Sequence, residues 1–226
     1  MSKYIAVAID GPAGAGKTTQ AKALAKELGY TYVDTGALYR GFAIHKLWLE
    51  KESGEKVSCE TALNTFDFEF ARDEEGSQRV IVCGKDVTDC LRTPEVSMEA
   101  STTSANPAVR AALLEFQRRQ ALKDNIIMEG RDIGTVVLPD AQVKIFLTAD
   151  PEVRAERRVK QEKEMGIDAD FQETLAEMRK RDYQDTHREI APLTQADDAA
   201  LVDCTNTGIE ETTKIMLQVI KGATDL

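Results

Sequence analysis

One run of nine residues constrains the fold more than any other feature of the chain: Gly11, Pro12, Ala13, Gly14, Ala15, Gly16, Lys17, Thr18 and Thr19. It fits the pattern G-x-x-x-x-G-K-[ST], a loop whose backbone N–H groups cradle phosphates. The loop needs a strand before it and a helix after it, and the flanks supply both. Tyr4 to Ile9 is apolar and partly β-branched, the length of one buried parallel strand. Gln20 to Leu28 is rich in helix formers and stops at Gly29. Glycines let the backbone approach the phosphate oxygens, and the helix N-terminus adds the positive end of its dipole. Lys17 is expected to reach the β- and γ-phosphates of a nucleoside triphosphate, and the Thr18 hydroxyl to ligate Mg²⁺.

Strand-like and helix-like stretches alternate through most of the chain. Thr31–Val33, Asn125–Met128, Val143–Leu147 and Ala200–Asp203 read as further strands, and helical patterns separate them. This predicts an α/β fold with a five-stranded parallel sheet flanked by helices. Residues 66 to 91 differ. Phe66, Phe68 and Phe70 alternate with polar residues, a turn-like Asp73–Ser77 follows, and Arg79–Cys83 completes an antiparallel hairpin. We read residues 35–115 as an inserted subdomain within one domain spanning 1–226. Thr93-Pro94-Glu95 starts a helix that Asn106-Pro107 breaks, and a second runs from Ala108 to Leu122. Two charged helices, about 152–165 and 170–185, precede the fifth strand, and an amphipathic helix from Ile209 to Ile220 follows it.

In parallel sheets of this kind ligands sit beyond the carboxyl ends of the strands. That directs attention to Asp10–Thr18, Asp34–Arg40 and Glu129–Asp132. The net charge of −10 disfavours nucleic acid and anionic membranes as partners, so bound phosphates require a local cluster of cations. Arginine supplies such a fork of donors. Arg154, Arg157 and Arg158 share a helical spacing, as do Arg181, Asp185 and Arg188. Acidic residues match basic ones in number between 154 and 188, nine of each, so a solvated face laced with salt bridges is the competing reading of the Arg154 group. No run of 18 apolar residues and no leader pattern appears, and Cys59, Cys83, Cys90 and Cys204 are scattered; a cytoplasmic protein with reduced thiols and no zinc site is expected.

Together these segments resemble the bacterial cytidylate kinases, P-loop nucleoside monophosphate kinases. The matching stretches are I-D-G-P-A-G-A-G-K-T-T, V-D-T-G-A-L-Y-R, L-R-T-P-E-V, G-R-D-I-G-T-V-V-L-P-D-A, K-I-F-L-T-A and R-D-Y-Q-D-T-H-R-E-I-A-P-L. They run from residue 9 to residue 193 in consistent order. The resemblance implies transfer of the ATP γ-phosphoryl group to CMP or dCMP with Mg²⁺; small-molecule partners only and a monomer are expected, since nothing in the sequence suggests obligate assembly. It implies that Ser101, Arg110 and Asp132 contact cytosine, that Arg40, Arg131 and Arg188 hold the monophosphate, and that Arg181 and Asp185 hold the ribose. Asp34 and Thr35 fall in the same acceptor-site pattern, where Thr35 replaces a common serine. The resemblance further implies that Arg157 or Arg158 belongs to a closing lid over 152–188 and that Lys17, Arg157, Arg158 and Arg188 form the catalytic set.

Read as residues alone, several positions stay open. Asp132 also suits a helix N-cap after a strand, Asp34 suits a cap, Ser101 suits an exposed helical serine, and Arg110 suits a surface arginine. A P-loop kinase for another acceptor, such as UMP, is the nearest alternative. A nucleotide-dependent switch is a further one, against which stands the lack of a guanine-reading N-K-x-D sequence.

Overall fold

The computed structural model describes residues 4–73, 78–164 and 166–224, so the turn expected at 74–77 and the helix end expected at 165 lie outside the described residues. The chain divides into two compact units, one formed by residues up to 33 with residues from 120 onward, the other by Asp34–Arg119.

The first unit opens with β1 (Ala6–Asp10), α1 (Lys17–Leu28) and β2 (Thr31–Asp34). The second holds α2 (Thr35–Ser53), α3 (Cys59–Leu63), β3 (Phe68–Arg72), β4 (Gln78–Val82), β5 (Lys85–Asp86), α4 (Pro94–Thr103) and α5 (Pro107–Gln120). The chain then returns to the first unit with β6 (Ile126–Gly130), a π-helical turn (Ile133–Val137), β7 (Val143–Thr148), α6 (Pro151–Glu164), α7 (Phe171–His187), β8 (Ala200–Asp203) and α8 (Ile209–Ala223).

In the first unit the expected five-stranded parallel sheet runs in the order β2-β6-β1-β7-β8. β1 lies between β6 and β7 and is buried along its whole length, as its continuous apolar run requires. Val7, Ile9, Ile127, Ile145 and Leu147 of the strands meet Leu24 of α1 and Met216 and Ile220 of α8 in one core. The register sets the position of the site: Ile9 stands opposite Glu129 and Asp10 opposite Gly130, so the phosphate loop and the segment Arg131-Asp132 leave neighbouring strand ends together.

In the second unit β3, β4 and β5 form an antiparallel sheet with Phe70 opposite Val80. Phe66 sits just before β3 rather than on it, in an aromatic layer with Phe42 at 5.2 Å and Phe68 at 6.0 Å between ring centroids. Asn106 and Pro107 end one helix and start the next. The Asn106 carboxamide accepts from the N–H groups of Ala108 and Val109, so α5 begins at Pro107 and stops at Gln120. Lys46 of α2 is buried between Glu50 at 2.6 Å and Glu99 of α4 at 3.0 Å, which ties the two helices together.

Candidate functional site

The phosphate loop is built by close approach. A Cβ on Gly11, whose φ is +147°, would stand 1.9 Å from the Leu147 carbonyl oxygen, so only glycine lets the chain leave β1 here. Gly14, at φ +76°, has Met178 of α7 and Arg154 of α6 against it; a Cβ there would meet Met178 Cε at 2.4 Å. α1 starts after Gly16, which has no side chain to cap it. Its first N–H groups are left without a side-chain cap, and an anion fits them. Lys17 is buried and donates to the carbonyl oxygens of Gly11 and Pro12, both at 2.8 Å. Thr18 is half-buried on the first turn and Thr19 is exposed.

Around Lys17 the strand ends collect charge. Burial pushes the Lys17 ammonium down to about 7 and the nearby Arg131 pushes the same way, against Glu129, Asp10 and Asp185. Asp10 is buried too, and burial raises its carboxyl to about 6 although the N–H groups of Ile133 and Gly134 favour the anion. Glu129 accepts from the Tyr32 hydroxyl at 2.5 Å. Arg131 Nε donates to Asp185 Oδ2 at 2.9 Å. Burial alone would raise Asp185; Arg131, Arg181 and Arg188 outweigh it and hold the carboxyl below its usual range. Arg181 and Asp185 lie on α7, but the helix ends at His187 and Arg188 is already extended. From there Arg188 donates to the Ala191 carbonyl at 2.6 Å and reaches buried Asp132 at 3.4 Å. The structure therefore gathers Lys17, Arg131, Asp132, Arg181, Asp185 and Arg188 beyond the ends of β1 and β6.

The three arginines of α6 do three different things. Arg154, 3% exposed, donates to Ala149 O at 2.8 Å, to Ala13 O of the phosphate loop at 2.9 Å and to Asp182 of α7 at 2.6 Å. Arg157 donates to the Cys204 carbonyl at 2.7 Å, and the Cys204 thiol in turn donates to Ala15 O at 3.3 Å. Arg158 pairs with Glu162 one turn on at 2.6 Å. The sequence motifs assign no individual role to Arg154, Asp10, Glu129 or Asp182. Asp10 carried one signal, a carboxylate closing an otherwise apolar strand.

The remaining candidates lie in the second unit. Asp34 caps α2 through the Ala37 N–H at 3.0 Å and also pairs with Arg40 at 2.9 Å. Arg40 keeps Nε buried without a hydrogen-bond partner among the described residues. Thr35 is buried and Ser101 half-buried on the last turn of α4. Arg110 is buried, not a surface arginine: it donates to the Ser104 carbonyl at 3.3 Å and lies 5.8 Å from the Tyr39 ring centroid.

Mg²⁺ takes oxygen ligands and keeps several waters. Thr18 offers one such oxygen, and the described residues contain no cluster of three or more His, Cys, Asp or Glu for a dedicated cage. A Mg²⁺ at this loop therefore fits only as a partner of phosphate oxygens and water. No helix among the described residues is long and apolar enough to cross a membrane.

Residues 7–222 match the family model described as cytidylate kinase. The chain is 46% identical over 224 residues to the cytidylate kinase of Carboxydothermus hydrogenoformans, covering 97% of this chain and 99% of that one. It is 47% identical over 212 residues to the cytidylate kinase of Streptococcus sanguinis, covering 92% and 93%. Among solved structures an uncharacterized protein from Eubacterium ventriosum has the same fold, with a TM-score of 0.54 at 13% identity over 96% of this chain and 98% of that one.

Proposed function

The chain belongs to the cytidylate kinase family, and on that premise we propose that it transfers the γ-phosphoryl group of ATP to CMP and dCMP. The observation that carries this reading is the cluster beyond β1 and β6, where a phosphate loop with a buried lysine adjoins Arg131, Arg188 and the carboxylate of Asp132.

Phosphoryl transfer spreads charge over the moving group and its two flanking oxygens, so it needs positioned cations more than covalent chemistry. Lys17 serves the β- and γ-phosphates of ATP and exchanges its two carbonyl partners for phosphate oxygens. Mg²⁺ held through Thr18 supplies further neutralisation of the phosphates. Arg40, Arg131 and Arg188 serve the acceptor phosphate, Arg181 and Asp185 the sugar, and Asp34 and Thr35 belong to the same acceptor pattern. No strong general base is required, because the attacking oxygen is already anionic. Residues 35–115 serve as the monophosphate-binding subdomain and 152–188 as the lid, with Arg157 or Arg158 on the transferring group. Excluding water there prevents simple hydrolysis of ATP. We assign a cytoplasmic, monomeric state.

Asp132 accepts from the cytosine amine, while Ser101 and Arg110 serve the ring acceptors. Uracil presents an acceptor in place of the amine, and such a buried mismatch costs about 1–3 kcal/mol, hence about tenfold or more in preference. ADP release measured with each monophosphate tests the reading. CMP and dCMP are expected to be the preferred acceptors, and Asp132→Ala to lose the preference for CMP over UMP. Turnover of AMP or UMP well above CMP refutes it.

A further inference from the structure

Asp132 stands at the N-cap of the π-helical turn Ile133–Val137, a position where a short acidic side chain ordinarily folds back onto the first N–H groups. It makes no such bond: at φ −147° and ψ 27° its backbone lies outside the extended region that a capping residue adopts, and its carboxylate reaches Arg188 instead. Its carbonyl accepts from Val136 and Val137 at 2.9 and 3.1 Å, so only the leading N–H groups of the turn need another acceptor. They find it in Asp10. Ile133 N–H donates to Oδ1 at 2.8 Å and Gly134 N–H to Oδ2 at 2.7 Å, across more than 120 residues of sequence. Both carboxylate oxygens are thus occupied by this turn.

Asp10 is kept at a cost. It is 5% exposed, and burial raises its carboxyl to about 6. Asp10 immediately precedes the phosphate loop, yet its two carboxylate hydrogen bonds go to the turn that follows Asp132. A carboxylate gives each of the two N–H groups an oxygen of its own.

We infer that Asp10 is a specificity-positioning residue: it caps the turn in place of Asp132, and so keeps the Asp132 carboxylate off its own turn and directed to the pyrimidine amine. The inference rests on the proposed function, in which Asp132 meets cytosine. Without Asp10 the uncapped N–H groups draw Asp132 back, as at any helix start, and base discrimination falls although no group touching the base has changed.

The test is the ratio of kcat/KM for CMP to that for UMP, at saturating ATP, in wild type, Asp10→Asn, Asp132→Ala and the double variant. Asp10→Asn keeps the volume but sets an NH₂ against one of the two donors, and is expected to lower the ratio about tenfold, the scale of one buried polar mismatch. The double variant is expected to match Asp132→Ala, because the two residues act on one discrimination. If Asp132→Ala lowers the ratio while Asp10→Asn slows CMP and UMP by one common factor, Asp10 is merely structural and the inference is overturned. If Asp132→Ala leaves the ratio unchanged, the reading of Asp132 fails and the inference falls with it. Should Asp10→Asn not yield folded protein, Asp10→Ser, which retains one acceptor, carries the same comparison, and a ratio equal to wild type overturns the inference.

Discussion

Replacing Arg154 by methionine removes three hydrogen bonds from a guanidinium that is 3% exposed. Breaking a buried pair by deleting one partner costs about 3–5 kcal/mol, most of it from the charge left behind. That charge is Asp182, whose side chain is 21% exposed, so hydration offsets part of the loss and the lower end, ~3 kcal/mol, applies. For a chain of 226 residues this corresponds to a fall in Tm of roughly 6–12 °C. Arg158→Met is the control on the same helix. Its pair with Glu162 spans one turn with side chains 31% and 17% exposed, and is worth about 0.3–0.5 kcal/mol. Adding Asp182→Leu to Arg154→Met is expected to recover much of the loss, because Asp182 Oδ1 is already buried without a partner among the described residues. Urea unfolding of the four proteins decides. If Arg154→Met is destabilised no more than Arg158→Met, Arg154 does not act as a buried latch between α6, α7 and the phosphate loop. The Ala13 carbonyl also loses its donor, so KM for ATP is expected to rise while the CMP-to-UMP preference is kept.

Lys17→Met probes the buried ammonium. Burial lowers Lys17 from 10.5 to about 7, so between those values the unfolded chain binds more protons than the folded one and stability rises with pH. The stability of wild type relative to Lys17→Met is therefore expected to improve by roughly 2 kcal/mol from pH 7 to pH 9; a flat difference by urea titration refutes this. Asp170→Ala removes the cap that accepts from Gln172 and Glu173 at 2.8 and 2.9 Å, and a loss of about 1 kcal/mol is expected in the same assay. Arg188→Ala is expected to lower kcat/KM for CMP by roughly a hundredfold, whereas Lys160→Ala, on an exposed side chain of α6, leaves it near wild type; equal losses would sink the assignment.

Much of the fold was legible because its signals are local. The five parallel strands are short apolar runs, and the loop motif needs only its two flanks. What escaped was too short to have a period: α3 with five residues, β5 with two, and the π-helical turn. Phe66 misled because its alternation with Phe68 and Phe70 reports a shared aromatic layer, which a residue preceding the strand can join as well as one on it. At the site, residue type and motif located Lys17, Arg131, Asp132 and Asp185. The sequence could not rank the arginines of α6, since spacing assigns a face but not a partner. Arg154 differs from Arg158 only because Ala13 and Asp182, 141 and 28 residues away, happen to meet it.

The two bonds from Lys17 to the Gly11 and Pro12 carbonyls change what nucleotide capture means. The ammonium is tethered to the rim of its own loop, closing a small ring of main chain. Arrival of a polyphosphate is thus a substitution at nitrogen, neutral oxygens leaving as anionic ones enter, rather than the filling of a vacant socket.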